Sequence, residues 1–161
     1  MQSDAGFSEM RHMICGFSIT IAIAAVTELG IVDRLTDGPK SATDLATATG
    51  ADADALERVM RYLASEGVFD ESGDTFAIND RSQWLRTGTP GSLRPRAIFA
   101  GSALNWTAWG SFLQSVRTGE SSLQAAFGKS LFEYLKDHAA DAATFNTFMA
   151  DQTAASVGAI L

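Results

Sequence analysis

The stretch "SATDLATATGADADALERVMRYLASEGVFDESGDTFAI", residues 41–78, decides the fold. Ser41 opens a short helix with Asp44 three positions on, a start resembling a capping box with Asp in place of Glu, and Gly50 closes it. Asp52 or Asp54 caps the next helix, whose Leu56, Val59, Met60 and Leu63 recur on one face before Gly67 ends it. Two short helices with a tight turn make a helix-turn-helix. Val68-Phe69 and Phe76–Ile78 then flank a polar turn holding Gly73, the pattern of a β-hairpin. Helix, turn, helix, hairpin is the winged-helix order, so the expected fold is mainly α with one small β-hairpin.

A winged helix invites a nucleic-acid reading, and charge opposes it. Residues 41–87 hold four arginines against nine carboxylates, a net of −5, and the second helix begins with Asp52, Asp54 and Glu57. Phosphates are met with Lys and Arg, so this surface repels them. The whole chain of 161 residues carries −7, which also argues against an anionic membrane. Its 46% apolar content fits a globular chain and leaves apolar surface for a partner. The lone Cys15 has no internal disulfide partner; its apolar setting predicts a buried structural thiol and a cytoplasmic protein.

Outward toward the N-terminus, "MICGFSITIAIAAV", residues 13–26, is the most apolar run. Met10, Met13, Ile14, Phe17 and Ile21 follow helical spacing, while Ile19, Ile21 and Ile23 alternate as in a strand. The alanine-rich continuation and Gly30 favour a second helix over about 18–29. Asp4 and Glu9 beside Arg11 deny the leader the basic start of a signal peptide. Thr27 and Glu28 interrupt the run before the ~20 residues of a membrane span. A helix buried internally or by a partner is the expectation.

Toward the C-terminus, a loop with Pro90, Gly91 and Pro95 precedes renewed helical patterns, and a solvated setting is expected for Arg94 and Arg96. Trp106, Trp109, Phe112, Leu113 and Val116 fall on one stripe ended by Gly119, with Trp109 expected in the core. Phe145, Phe148, Met149 and Gln152 recur at i, i+3, i+4 and i+7, either as core packing or as an apolar wall for a flat ligand. The helical pattern then runs to Leu161 without a stop signal, which points to a cut end. No G-x-G cradle, nucleophile elbow or metal-ligand spacing appears, and His12 and His138 stand far apart. No catalytic, cofactor-binding or metal-binding residue is therefore assigned.

The segment from "ELGIVDRLTDG" through "ALERVMRYLASEGVF", followed by "NWTAWGSFLQSVRTGE", "FGKSLFEYL" and "FNTFMADQT", resembles the N-terminal dimerisation domain of the S-adenosylmethionine-dependent small-molecule O-methyltransferases. Bacterial enzymes that tailor natural products are the nearest in style, with the plant caffeate-type enzymes related. The resemblance implies a homodimer through N-terminal helices and one wall of an aromatic or polyketide-type acceptor pocket. It implies a single unit with dimerisation helices over 1–37, a winged helix over 38–88 and a helical acceptor side over 89–161. S-adenosylmethionine would be bound by a following Rossmann-like domain, expected to be absent here, so this chain alone would bind no cofactor and be inactive. Acceptor-lining positions of the family fall on Phe145, Met149, Leu131 and Leu135, and Trp106 would help shape the same side. A further lining aromatic corresponds to Asp141, which departs from the phenylpropanoid pattern. The alternatives are a stand-alone, non-methylating accessory protein and, against its charge, a winged-helix regulator.

Overall fold

The computed structural model of the chain describes residues 4–158, with side chains described through Thr153. The helical pattern expected to reach Leu161 therefore has its last three residues outside the described ones. The chain divides into two compact units, Met1–Arg94 and Pro95–Leu161.

In the first unit, α1 (Asp4–Glu28) and α2 (Ile31–Arg34) precede strand β1 (Lys40–Ser41). Then come α3 (Ala42–Thr49), α4 (Ala53–Ser65), strands β2 (Phe69–Ser72) and β3 (Thr75–Ile78), and a 3-10 turn at Ser82–Leu85. Ser41 caps α3 by accepting from the Asp44 N–H at 3.1 Å, while its hydroxyl donates to the Asp44 carboxylate at 2.7 Å. Asp52 caps α4 by accepting from the Ala55 N–H at 2.8 Å. Gly67 closes α4 in the left-handed conformation, φ 73°, which costs a glycine little, and turns the chain directly into β2.

The hairpin lies where the sequence placed it, with Phe69 opposite Ile78 and Ser72 opposite Thr75. Sequence reasoning missed β1, whose Lys40 pairs with Phe76 and makes the antiparallel order β1-β3-β2. A two-residue strand has no periodicity of its own. The core joins Val26 of α1, Ile31 and Val32 of α2, Leu45 of α3, Met60 and Leu63 of α4, and Phe69 and Phe76 of the sheet.

The helix α1 corrects the expected pair of N-terminal helices, since it runs unbroken for 25 residues. At 100° per residue, Ile19, Ile23 and Val26 share one side, where they are half-buried or buried, and Ser18 beside them shares a 2.9 Å hydrogen bond with Tyr62 of α4. Ile21 points to the opposite side. The strand-like alternation thus comes from a helix that is apolar on two faces. Gly30 stops it at φ 66°.

Asp33 locks the end of this unit. Its carboxylate accepts from Thr87 N at 2.8 Å and Thr87 Oγ1 at 2.6 Å, and Arg94 stands 3.9 Å away while donating to the Thr27 carbonyl. Arg94 is therefore a structural clasp on the end of α1 and not a residue of a solvated loop. Partial burial opposes ionisation of Asp33, but the two Thr87 hydrogen bonds and the Arg94 and Arg86 guanidiniums outweigh it and hold the carboxyl below its ordinary value. A carboxyl depressed in the folded state contributes stability above its unfolded pKa of about 3.9 and loses it as pH falls through the folded value. Asp33→Asn is expected to cost about 1 kcal/mol at neutral pH. That difference should shrink in paired thermal melts as pH falls below the unfolded value of about 3.9 and on through the lower folded value. An equal loss at neutral and acid pH would contradict the assignment.

The second unit is entirely helical among its described residues: α5 (Arg94–Gly101, whose first residue closes the first unit), α6 (Ala103–Gly110), α7 (Phe112–Thr118), α8 (Ser122–Phe127), α9 (Leu131–Asp137) and α10 (Ala139–Gly158). The expected single stripe from Trp106 to Val116 is split at Ser111 into α6 and α7. Trp109 is 59% exposed, which overturns its expected place in the core; its ring lies tilted at 55° against that of the also exposed Phe112, with centroids 5.1 Å apart. Leu104 is the one fully buried apolar side chain among the described residues of this unit.

Candidate functional site

Two surfaces gather the candidate side chains, one on each unit. On the first unit, Phe7, Met10, Met13, Ile14, Phe17 and Ile21 line the outer side of α1, spaced by three and four residues. Each is at least 44% exposed, and Phe7 reaches 70%. Taking about 200 Å² for a fully exposed large side chain, the strip offers roughly 700 Å² of largely apolar surface. That is more than monomers usually leave in water as one patch. By length and composition alone α1 is also apolar enough to cross a bilayer. From about Ser18 onward its other side is engaged with α4 and α2, and Asp4, Glu9, Arg11, His12 and Glu28 punctuate the helix. Cys15 is exposed on this helix, so the expected burial of its thiol does not hold; the thiol sits where neither α4 nor any other described element covers α1.

On the second unit, the face of α10 that carries Asp141, Phe145, Phe148, Met149 and Gln152 lies between α5 and α9. Phe99 of α5 stacks on Phe148 at 4.5 Å and 9° and meets Phe145 edge-on at 5.9 Å. Arg96 is exposed, as expected, but lies on helix α5 and not in a loop, and its guanidinium stands 5.5 Å from the Phe148 ring in a cation–π contact. Phe145 is half-buried and Met149 is 43% exposed.

Helix α9 is fixed by a capping box: Ser130 Oγ accepts from the Glu133 N–H, and the Glu133 carboxylate accepts from the Ser130 N–H at 2.9 Å. Leu131 and Leu135 lie one turn apart on α9 and are half-buried. Between them Tyr134 donates to Asp141 Oδ2 at 2.9 Å, tying α9 to α10. That hydrogen bond, with burial and the carboxylate charge, raises the phenol's pKa, so Tyr134 stays a donor at neutral pH. Its ring stacks on His138 at 3.8 Å and leans on Phe127 of α8 at 4.4 Å.

The expected site residues thus divide. Phe145 and Met149 share one face of α10, Leu131 and Leu135 sit on the adjoining α9, and Trp106 is half-buried on α6, which packs on α8. Sequence reasoning missed Phe99 and the Tyr134–Asp141 bond. Both join residues from separate helices, and only the apolar step Ile98-Phe99 could have hinted at the first. A groove of about 230 Å³ lined by Pro95, Ile98, Ala143, Thr144 and Thr147 opens on the other side of α10 and holds none of the expected residues.

A helix-turn-helix with a small sheet, led by a long helix whose outer apolar face has no cover in one copy, defines a mainly α association domain. Residues 11–88 match the O-methyltransferase dimerisation domain. The phenazine O-methyltransferase PhzM of Lysobacter antibioticus is 40% identical over 147 residues, which are 91% of this chain and 43% of that protein. The crystal structure of LaPhzM gives a TM-score of 0.86 at 39% identity, covering 93% of this chain and 45% of that one. The SAH-bound crystal structure of CalO1, a methyltransferase of calicheamicin biosynthesis, gives 0.82 at 30% identity, covering 96% and 46%. The chain belongs to the O-methyltransferase dimerisation-domain family and spans less than half the length of the relatives it matches.

Proposed function

We propose that this chain is the homodimerising, acceptor-side part of a cytoplasmic S-adenosylmethionine-dependent O-methyltransferase that acts on an aromatic or polyketide-type small molecule. The observation that carries the reading is the unbroken apolar strip on α1, whose most economical cover is the same strip on a second copy. The relatives' names in phenazine and calicheamicin biosynthesis support the acceptor class, and the SAH in CalO1 supports the methyl donor. Phe145 and Met149, with Leu131, Leu135 and Trp106 beside them, form the proposed acceptor wall, a flat apolar surface suited to a planar ring.

In such an enzyme the wall positions the acceptor. Holding a phenolic oxygen in line with a sulfonium methyl and excluding water lowers the barrier by several kcal/mol. The donor site and the base that removes the hydroxyl proton are proposed to lie outside the described residues.

Ligand-observed NMR tests this division. Saturation transfer is expected to 2-naphthol and not to S-adenosylmethionine, and Phe145→Ala with Met149→Ala should remove most of the naphthol signal. Tight one-to-one binding of S-adenosylmethionine to the 161-residue chain, or a naphthol signal untouched by the double substitution, would overturn it.

A further inference from the structure

We propose that Asp141 is a specificity-determining residue that selects a planar acceptor bearing an N–H donor, such as an aryl amine, and rejects one bearing a carboxylate; this rests on the acceptor wall proposed above. Asp141 lies on the α10 face of Phe145 and Met149, one turn before Phe145 and two turns before Met149. From Asp141 to Met149 is about 12 Å along the helix, the span of a two- or three-ring molecule laid on that face.

The carboxylate is half-buried and only half satisfied. Tyr134 occupies Oδ2, whereas Oδ1 has no partner among the described residues and is open to solvent. An ionised carboxylate is acceptor-only, so what completes it must be a donor. An open carboxylate oxygen at the edge of an aromatic surface favours a ligand N–H with a charge-assisted bond and penalises a second anion. Tyr134 meanwhile draws off part of the carboxylate's charge and so moderates the preference.

The roles of these two residues separate in opposite directions. Removing the acid should abolish the preference; removing only the tyrosine hydroxyl should free more negative charge and strengthen it. A bond that merely pins α9 to α10 would change stability in both variants and selectivity in neither.

The test uses three probes on the full chain: 2-naphthol, 5-amino-2-naphthol and 6-hydroxy-2-naphthoate, with dissociation constants from NMR titration. The aminonaphthol is expected to bind about tenfold tighter than naphthol and the naphthoate to bind weakest. Asp141→Asn should bring the three constants together, and Tyr134→Phe should widen the gap between amine and naphthoate. If Asp141→Asn fails to fold, the Tyr134→Phe arm decides by the direction of its change. Ratios unchanged in the variants would overturn the selectivity while leaving the wall intact. No binding of any probe to the unsubstituted chain would overturn both.

Discussion

Replacing Ile14 and Phe17 together with glutamate is expected to abolish self-association while leaving each copy folded. The two side chains are 66% and 58% exposed in a single copy, so the substitutions remove little intrachain packing. In a dimer that buries them, each would place an unpaired carboxylate in an apolar seam, at a cost of several kcal/mol. An increase in the dimer dissociation constant of at least about 10³-fold follows. Light scattering behind size exclusion, with circular dichroism for folding, reads both halves of the result. A double variant that stays dimeric would place the interface elsewhere.

Phe76→Ala tests the interior instead. Phe76 is 1% exposed and central in the sheet, paired with Lys40 on one side and Glu71 on the other. Truncating a buried phenylalanine costs about 3–5 kcal/mol. That is a large fraction of the ~5–15 kcal/mol that holds a domain together. The urea midpoint should fall sharply, or the first unit should fail to fold at room temperature. Phe112→Ala, at a side chain 49% exposed, should lower the unfolding free energy by less than about 0.5 kcal/mol and so barely move the midpoint. Equal effects of the two would contradict the placement of the core.

These contrasts explain what could be read from the residues alone. Ser41, Asp52, Gly30 and Gly67 act within one turn of the chain, so the ends of α3 and α4, the C-terminal stop of α1 and the start of the hairpin were visible in the sequence. What depends on distant partners was not. Strand β1 exists only because Phe76 and Thr75 supply its ladder, and Arg94 gains its role only by reaching Thr27 and Asp33. The C-terminal aromatics misled for a related reason. A Trp or Phe on a helical stripe signals burial without saying what covers it, and one copy of this chain leaves Trp109 and Phe112 uncovered.

The α10 face was half legible. Phe145 and Met149 announced themselves by spacing. The Phe99 that backs Phe145 and Phe148, and the tyrosine that ties Asp141 to α9, are contacts between helices separated by loops. Sequence also named Asp141 only as a departure from a family pattern; its geometry gives it a hydrogen-bond partner and a free oxygen.

The claim on which the functional reading rests is that α1 closes against a second copy. Sedimentation velocity of the unsubstituted chain across a micromolar dilution series measures it most directly. A species of twice the 17.1 kDa chain mass that persists on dilution is the expected result, and a 17.1 kDa monomer at every concentration would contradict it.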